Sequence, residues 1–319
     1  FSGSSPIWIA DNGTGFSTIY RGDGQPVQIN GQQFMVAIPS PGAAGCASPP
    51  SSAPTGVVFN GSTNFVVSGA VASGPAIFIF DTEDGTISGW NPQANFGCAV
   101  LKVDHSDSAV YKGLAIGTSD KGAFIYASNF RAGVVEMYDS NFRPAGTFTD
   151  SALVSLGFAP FGIQNVKNRI FVTFAKQDDA KHDDVAGPGN GYVDEFDTNG
   201  NFIRRFASQG PLNSPWGIAL AGRDFGHFTG RLLIGNFGDG TINAFSLATG
   251  RFIGTVRDVL DNPIVIGGLW GLKFGMGGAN NGPTNTLFFT AGINHEGDGL
   301  FGMITVIHGE GEHEHEHEH

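Results

Sequence analysis

Pro215-Trp216-Gly217-Ile218-Ala219-Leu220 is followed along the chain by Arg231-Leu232-Leu233-Ile234-Gly235, by Thr241-Ile242-Asn243-Ala244-Phe245-Ser246-Leu247 and by Arg251-Phe252-Ile253-Gly254-Thr255-Val256. Each run is short, apolar or alternating, and bounded by turn formers, which is the signature of a strand. Asn236-Phe237-Gly238-Asp239-Gly240 separates the second run from the third, and Ala248-Thr249-Gly250 the third from the fourth. Four consecutive antiparallel strands joined by such turns make one blade of a β-propeller, provided the unit recurs.

It does recur. A small opening motif, roughly Pro-aromatic-Gly followed by aliphatics, stands at Pro54-Thr55-Gly56-Val57-Val58, Lys112-Gly113-Leu114-Ala115, Pro160-Phe161-Gly162-Ile163, Pro215-Trp216-Gly217-Ile218 and Leu269-Trp270-Gly271-Leu272. Successive openings lie 58, 48, 55 and 54 positions apart. Helix signals are nearly absent, so a helical solenoid of similar period is excluded. Units start near residues 54, 112, 158, 214 and 268, and a partial one precedes them with Ile7–Ala10 as second strand and Thr18–Arg21 as third. The last unit runs through Gly271–Phe274, Leu287–Thr290 and Leu300–Ile307. The reading is an all-β, six-bladed propeller of four-stranded blades in one domain over residues 1–308. Unit one wants a first strand and unit six a fourth. Ring closure therefore calls for a segment N-terminal to residue 1, and Phe1-Ser2-Gly3-Ser4-Ser5 leads directly into a strand.

Composition agrees with a large, dry β core. Hydrophobic residues make up 40% of 319 and Phe dominates the aromatics, 28 against 5 Tyr and 4 Trp. The net charge is −12, but residues 309–319 (GEGEHEHEHEH) hold five of the Glu, which leaves −7 on the body. That tail cannot bury anything, reads as disordered and resembles an affinity tag. An acidic body without a Lys/Arg cluster repels phosphate backbones, so nucleic acid is not an expected partner. No run reaches the roughly 18–20 apolar residues of a transmembrane helix. Cys46 and Cys98 stand in loop sequence; they are either two buried thiols or a loop-to-loop disulfide, the latter suiting an extracellular or periplasmic protein.

Several stretches then resemble a known family. Ile9-Ala10-Asp11-Asn12-Gly13-Thr14-Gly15, Asp81–Pro92 (DTEDGTISGWNP), Tyr111-Lys112-Gly113-Leu114-Ala115, Lys176–Gly191 (KQDDAKHDDVAGPGNG), Pro211–Gly217 and Gly235–Phe245 (GNFGDGTINAF) are similar to an uncharacterised family of secreted bacterial and fungal proteins, some ending in a PEP-CTERM sorting signal. The resemblance runs from about residue 7 to residue 304. It implies a fold akin to the NHL-like and lactonase-like six-bladed propellers, and export from the cell; it brings no reaction with it.

In a propeller the turns between second and third strands open on the same side as the links between blades, around the mouth of the channel. Here that face is acidic. It carries Asp11-Asn12, Glu83-Asp84, Asn129-Phe130-Arg131, the insertion Lys176–Gly191, Asn236 with Asp239, and Asn294-His295-Glu296-Gly297-Asp298. Asn12, Asn129 and Asn236 follow the second strands of units one, three and five. Their amide oxygens suit one axial Ca²⁺ in the central channel, although Asn also ends strands by forming Asx-turns. In the insertion, Asp183 and Asp184 suit a cation, and His182 beside a carboxylate suits a general base; His295-Glu296 invites the same reading. There is no nucleophile elbow, Walker loop or CxxC.

Three functional readings follow. The first is a secreted binding propeller that holds an ion or small polar ligand at the acidic mouth. The second is a Ca²⁺-assisted ester or lactone hydrolase at the same mouth, with His182 or His295 moving protons. The third is extracellular self-assembly through an incomplete blade.

Overall fold

The structure, a computed structural model, describes residues 5–307; the His/Glu run at 309–319 lies outside the described residues. Six small antiparallel sheets stand in a ring around a channel, a six-bladed β-propeller. Blade 5 shows the plan, with strands Pro215–Leu220, Leu232–Asn236, Ile242–Phe245 and Phe252–Thr255 pairing in chain order from the channel outward. Blades 2, 3 and 4 open with Pro54–Phe59, Tyr111–Ser119 and Phe158–Val166, and each has four strands. Blade 1 has three, Ile7–Asp11, Phe16–Tyr20 and Met35–Ala37, and blade 6 also has three, Leu269–Phe274, Leu287–Ile293 and Asp298–Ile304. The expected strand shortage in the first and last units is therefore what the sheets show among the described residues.

The core lies between blades, not inside any one of them. Ile79, Tyr111 and Ile125 join blades 2 and 3; Phe148, Phe158 and Phe196 join 3 and 4; Leu233, Leu269 and Leu287 join 5 and 6. A middle strand is thus covered on both faces, which is why Phe78–Thr82, Thr86–Trp90 and Leu232–Asn236 are buried at every position. Burial on two faces replaces alternation with continuous apolar runs. The abundant Phe fills these layers edge to face, as in Phe171–Phe206 at 5.2 Å and Phe158–Tyr192 at 4.9 Å. Such pairs contribute about 0.5–1.5 kcal/mol beyond their buried area.

The opening motif has a structural cause. In blades 2 to 6 the ladder between first and second strands skips register at the motif glycine, a β-bulge at the channel end of each inner strand. There the inner strands converge. A Cβ on Gly162 would lie 2.0 Å from the Trp216 carbonyl oxygen, and one on Gly217 2.5 Å from that of Trp270. The bulge removes a ladder partner from the glycine N–H, and a second-strand side chain accepts it instead. Gly56 N–H donates to Asp81 Oδ1 (2.6 Å), Gly162 N–H to Thr173 Oγ1 (2.8 Å) and Gly271 N–H to Thr290 Oγ1 (2.9 Å).

Cys46 and Cys98 form a disulfide across 52 residues, which resolves the two alternatives in favour of the bond. It staples the loop after blade 1 to blade 2, beside a backbone bridge in which Ala37 pairs with Cys98. Two local features escaped the sequence reading. Residues Ser151–Ser155 form a short helix capped by the Asp150 carboxylate, which accepts from the N–H groups of Ala152 and Leu153. Small hairpins, Gln28–Ile29 with Gln32–Gln33 and Val66–Ser68 with Ser73–Pro75, decorate blades 1 and 2. Both kinds are too short to show a period.

Candidate functional site

The channel opens into a cavity of about 1030 Å³ lined by all six blades. Its mouth is built by the residue that precedes each motif glycine. Thr55, Lys112, Trp216 and Trp270 line the cavity at this level, while Phe161 is fully buried beneath them. Lys112 is the one charge in a ring of Thr and aromatics, and it stands there because the bulge aims this position at the cavity on blades 2, 3, 5 and 6.

Lys112 is almost wholly buried, at 3% exposure. Its Nζ donates to Glu83 Oε1 at 2.5 Å and to Asp183 Oδ1 at 3.1 Å. Burial alone would lower the ammonium pKa, but Glu83 and Asp183 outweigh it and raise the value, so the lysine is charged. For Asp183 too, burial opposes the charge and Lys112 prevails, holding the carboxyl below its usual range. Asp183 belongs to the insertion, which is folded by its own polar contacts. Asp178 Oδ1 accepts from the N–H groups of His182 (2.8 Å) and Asp183 (3.3 Å). The ion pair with Lys112 therefore draws the insertion of blade 4 over the mouth and onto blade 3.

An aromatic wall faces this cluster. Trp216 Nε1 donates to the Lys112 carbonyl at 2.7 Å, and Trp270 Nε1 to Glu296 Oε1 at 2.9 Å. Trp270 stacks on Phe237 at 4.2 Å and meets Trp216 edge to face at 5.4 Å. Glu296 sits in a strained turn. Asn294, His295 and Glu296 all adopt left-handed backbone, with φ of 55°, 54° and 63°, at about 1–2 kcal/mol per residue for L-residues. The turn is held by Asn294 Nδ2 donating to Asp298 Oδ2 (2.7 Å) and by the Trp270–Glu296 bond. Strain of this kind clusters at binding and catalytic loops. Across the mouth Asp11 ends the first strand of blade 1, and burial raises its carboxyl to about 6. Asp11, Glu83, Asp183, Glu296 and Asp298 thus line a cavity that holds only Lys112 and Lys273 as fixed cations among the described residues.

The residues singled out from sequence divide into two groups. His182, Asp183 and Asn12 line the cavity, and His182 Nδ1 lies 3.0 Å from Asp183 Oδ1. Asp184 does not line it; burial raises its carboxyl, and the residue pairs back onto Gln177. His295 lines a smaller adjoining pocket with Glu296 and Phe237. Asn129 and Asn236 do not line the cavity. Asn129 Oδ1 accepts from Val110 N–H and Ala132 N–H, and its Nδ2 donates to Glu136 Oε1. Asn236 Nδ2 donates to Pro211 O at 2.7 Å and to Asp239 and Thr241. Asn129 thus spends its whole amide on the turn, whereas the Asn236 Oδ1 is buried without a hydrogen-bond partner among the described residues. Among the described residues no group of three or more His, Cys, Asp or Glu side chains is arranged to hold a metal ion. The residues missed were Lys112, Trp216 and Trp270. Their signal was legible as a shared place before the motif glycine, yet the direction in which that place points depends on the bulge.

No family model matches the chain. Among solved structures it is similar to a propeller chain of a nidogen/laminin complex, with TM-score 0.53, 13% identity and coverage of 89% of this chain and 84% of that one. It is also similar to a protein of unknown function from Bacteroides caccae, with TM-score 0.52, 10% identity and coverage of 89% and 82%. At such identities the likeness shows the fold alone. Among curated proteins it is 33% identical over 263 residues to uncharacterized protein R648 of Acanthamoeba polyphaga mimivirus; the match covers 80% of this chain and 63% of the relative's length. Uncharacterized protein L690 of the same virus is 31% identical over 260 residues, 79% of this chain and 67% of its own. By that second match the chain belongs to the family that includes mimivirus L690.

Proposed function

We propose that this propeller is a secreted binding protein that takes a small polar ligand or ion at the acidic mouth of its channel. The observation that carries the reading is the convergence of five carboxylates, Lys112 and two tryptophans on one 1030 Å³ cavity, a volume at the upper end of small-molecule sites. Carboxylates in excess favour a ligand with a cationic or hydrogen-donating group, and an aromatic wall adds attraction for such a cation. The Cys46–Cys98 bond supports an oxidising compartment. Among the described residues no helix is long and apolar enough to cross a membrane.

The test is tryptophan fluorescence of the wild type and of Trp270→Phe, titrated with small organic ammonium ions, neutral sugars and Ca²⁺. A saturable change that weakens at least about tenfold in Glu83→Gln/Asp183→Asn supports the reading. Flat titrations across all three classes overturn it.

Asp11 favours a second reading, hydrolysis of an ester or lactone in the same cavity. A carboxyl titrating at about 6 is poised for proton transfer near neutrality, and His182 shares the cavity. Turnover of a model lactone that disappears in Asp11→Asn, while ligand affinity survives, would support it.

A further inference from the structure

Four side chains with metal-binding atoms meet at the seam between blades 2 and 3, and none of them lines the channel cavity. Tyr111 comes from the inner strand of blade 3. Glu136 and Tyr138 come from its third strand, Val134–Tyr138, where a spacing of two puts both on one face. His105 follows the outer strand of blade 2, Val100–Asp104. Its backbone is fixed, the N–H donating to Gly85 O and the carbonyl accepting from Ser108 and Ala109 N–H. Tyr111 Oη lies 2.6 Å from Glu136 Oε2 and 2.8 Å from Tyr138 Oη, and Tyr138 Oη lies 2.5 Å from the same Oε2. His105 Nδ1 lies 3.3 Å from Tyr111 Oη, 3.1 Å from Tyr138 Oη and 3.4 Å from Glu136 Oε2. Each of the four atoms thus touches the other three.

Hydrogen bonds do not account for this packing. Both phenols donate to Glu136 Oε2, which spends their two protons. The 2.8 Å approach of the two phenol oxygens then has no proton in it, and oxygens so close and unbridged repel. Four donors around one ion at about 2.0–2.2 Å stand about 2.8–3.6 Å apart, so the cluster need open by only a few tenths of an ångström to hold one. Asn129 Nδ2 donates to Glu136 Oε1 at 2.8 Å and leaves Oε2 to the cluster, the outer-shell support that a ligating carboxylate receives. Tyr111 and Tyr138 are closed off from water, whereas the His105 side chain is 37% exposed and gives an entry from the surface.

We infer that Tyr111, Tyr138, Glu136 and His105 form a ferric-iron site that clips blade 2 to blade 3. Charge and hardness choose the ion. Two phenolates and a carboxylate supply three negative charges, and a buried site must be close to neutral in total, which a trivalent ion makes it. Oxygen donors suit hard ions, and imidazole is common in iron sites. On binding, both phenol protons leave to solvent; the iron enters and stays as Fe³⁺, and no electron moves. A divalent ion would leave the site one charge short or one phenol protonated. The site shares no residue with the mouth of the channel, so it does not depend on the ligand-binding reading.

Titration of the dialysed full chain with ferric nitrilotriacetate, read by visible absorption and by melting, tests the site. The expected result is a phenolate-to-iron charge-transfer band that saturates at one iron per chain, with a melting temperature raised by about 2 °C or more. The His/Glu run at 309–319 holds no Tyr and cannot give that band. Tyr111→Phe/Tyr138→Phe is expected to lose the band. His105→Ala changes a part-exposed side chain, so the fold is kept, and it is expected to weaken iron binding at least about tenfold. No band in the wild type, or an equal band in the double variant, overturns the site. Unchanged affinity in His105→Ala overturns the four-donor set, and an equal melting shift with Zn²⁺ overturns the assignment to a trivalent ion.

Discussion

Gly162 offers the sharpest test of how the ring is built. Its φ lies outside the left-handed region, so Gly162→Ala adds a methyl group without backbone strain, and the whole effect comes from the neighbouring blade. The new Cβ would sit 2.0 Å from the Trp216 carbonyl oxygen, where ordinary contact begins at 3.4 Å. The inner strands of blades 4 and 5 must separate by over 1 Å, and both are tied into sheets that cannot shear cheaply. Overpacking of this degree costs about 3 kcal/mol, against about 0.4–1 kcal/mol gained from restricting the unfolded chain. The net loss is about 2 kcal/mol, or roughly 3 °C in melting temperature. The equivalent contacts are graded. Gly56 and Gly217 stand at 2.5 Å and Gly113 at 3.0 Å, while Gly13 has nothing within 4 Å. Urea unfolding of the five alanine variants should rank them Gly162 worst, Gly56 and Gly217 intermediate, Gly113 near neutral and Gly13 neutral or slightly stabilised. If Gly162→Ala is as stable as Gly13→Ala, the glycines do not owe their place to convergence of the inner strands.

Other outcomes follow from single features. Cys46→Ser/Cys98→Ser should lower stability by up to about 4 kcal/mol, the loop entropy of a 52-residue closure; urea unfolding with and without reductant measures it. Asp81 is fully buried with Oδ2 unpaired, and burial pushes its carboxyl to about 7 against 3.8 when free. The folded form therefore keeps a proton that the unfolded form releases. The associated stability is complete below pH 3.8 and is lost as pH rises through 7, on the order of 4 kcal/mol. A pH series of melts should show that decline in wild type and a flatter profile in Asp81→Asn. Asn129→Ala orphans two backbone N–H groups and removes one donor from Glu136, which keeps Tyr111 and Tyr138, so it should cost about 2–4 kcal/mol, read by urea unfolding. Lys112→Met should loosen the insertion, seen as faster amide exchange over residues 177–191, because Asp183 loses its partner on blade 3.

The ring of blades was legible because it is written locally and repeated. A motif glycine, four short runs and their turns recur along the chain, and each blade's pairing partners are sequence neighbours. Residues Leu232–Asn236 and Ile242–Phe245 sit within a position or so of where period and turns place them. The acidity of the mouth was legible too, since propeller topology assigns the turns between second and third strands to one face. His182 and Asp183 line the cavity at that face. The choice between turn and ligand was not legible for Asn129 and Asn236. An amide at a strand end has the same sequence context whichever way its oxygen turns, and only the fold puts Val110 N–H on the Asn129 oxygen while the Asn236 amide donates to the Pro211 carbonyl.

By itself, then, the order of residues determined the number of blades, the strands and turns, and which loops share a face, because these depend on separations of a few residues along the chain. Only the tertiary structure decided that Lys112 is clamped between Glu83 and Asp183, 29 and 71 residues away in sequence. Only it set the tryptophans inward. The physical reason is that charge pairing, burial and the reach of a side chain are settled by neighbours in space, and in a ring of blades those neighbours come from different repeats.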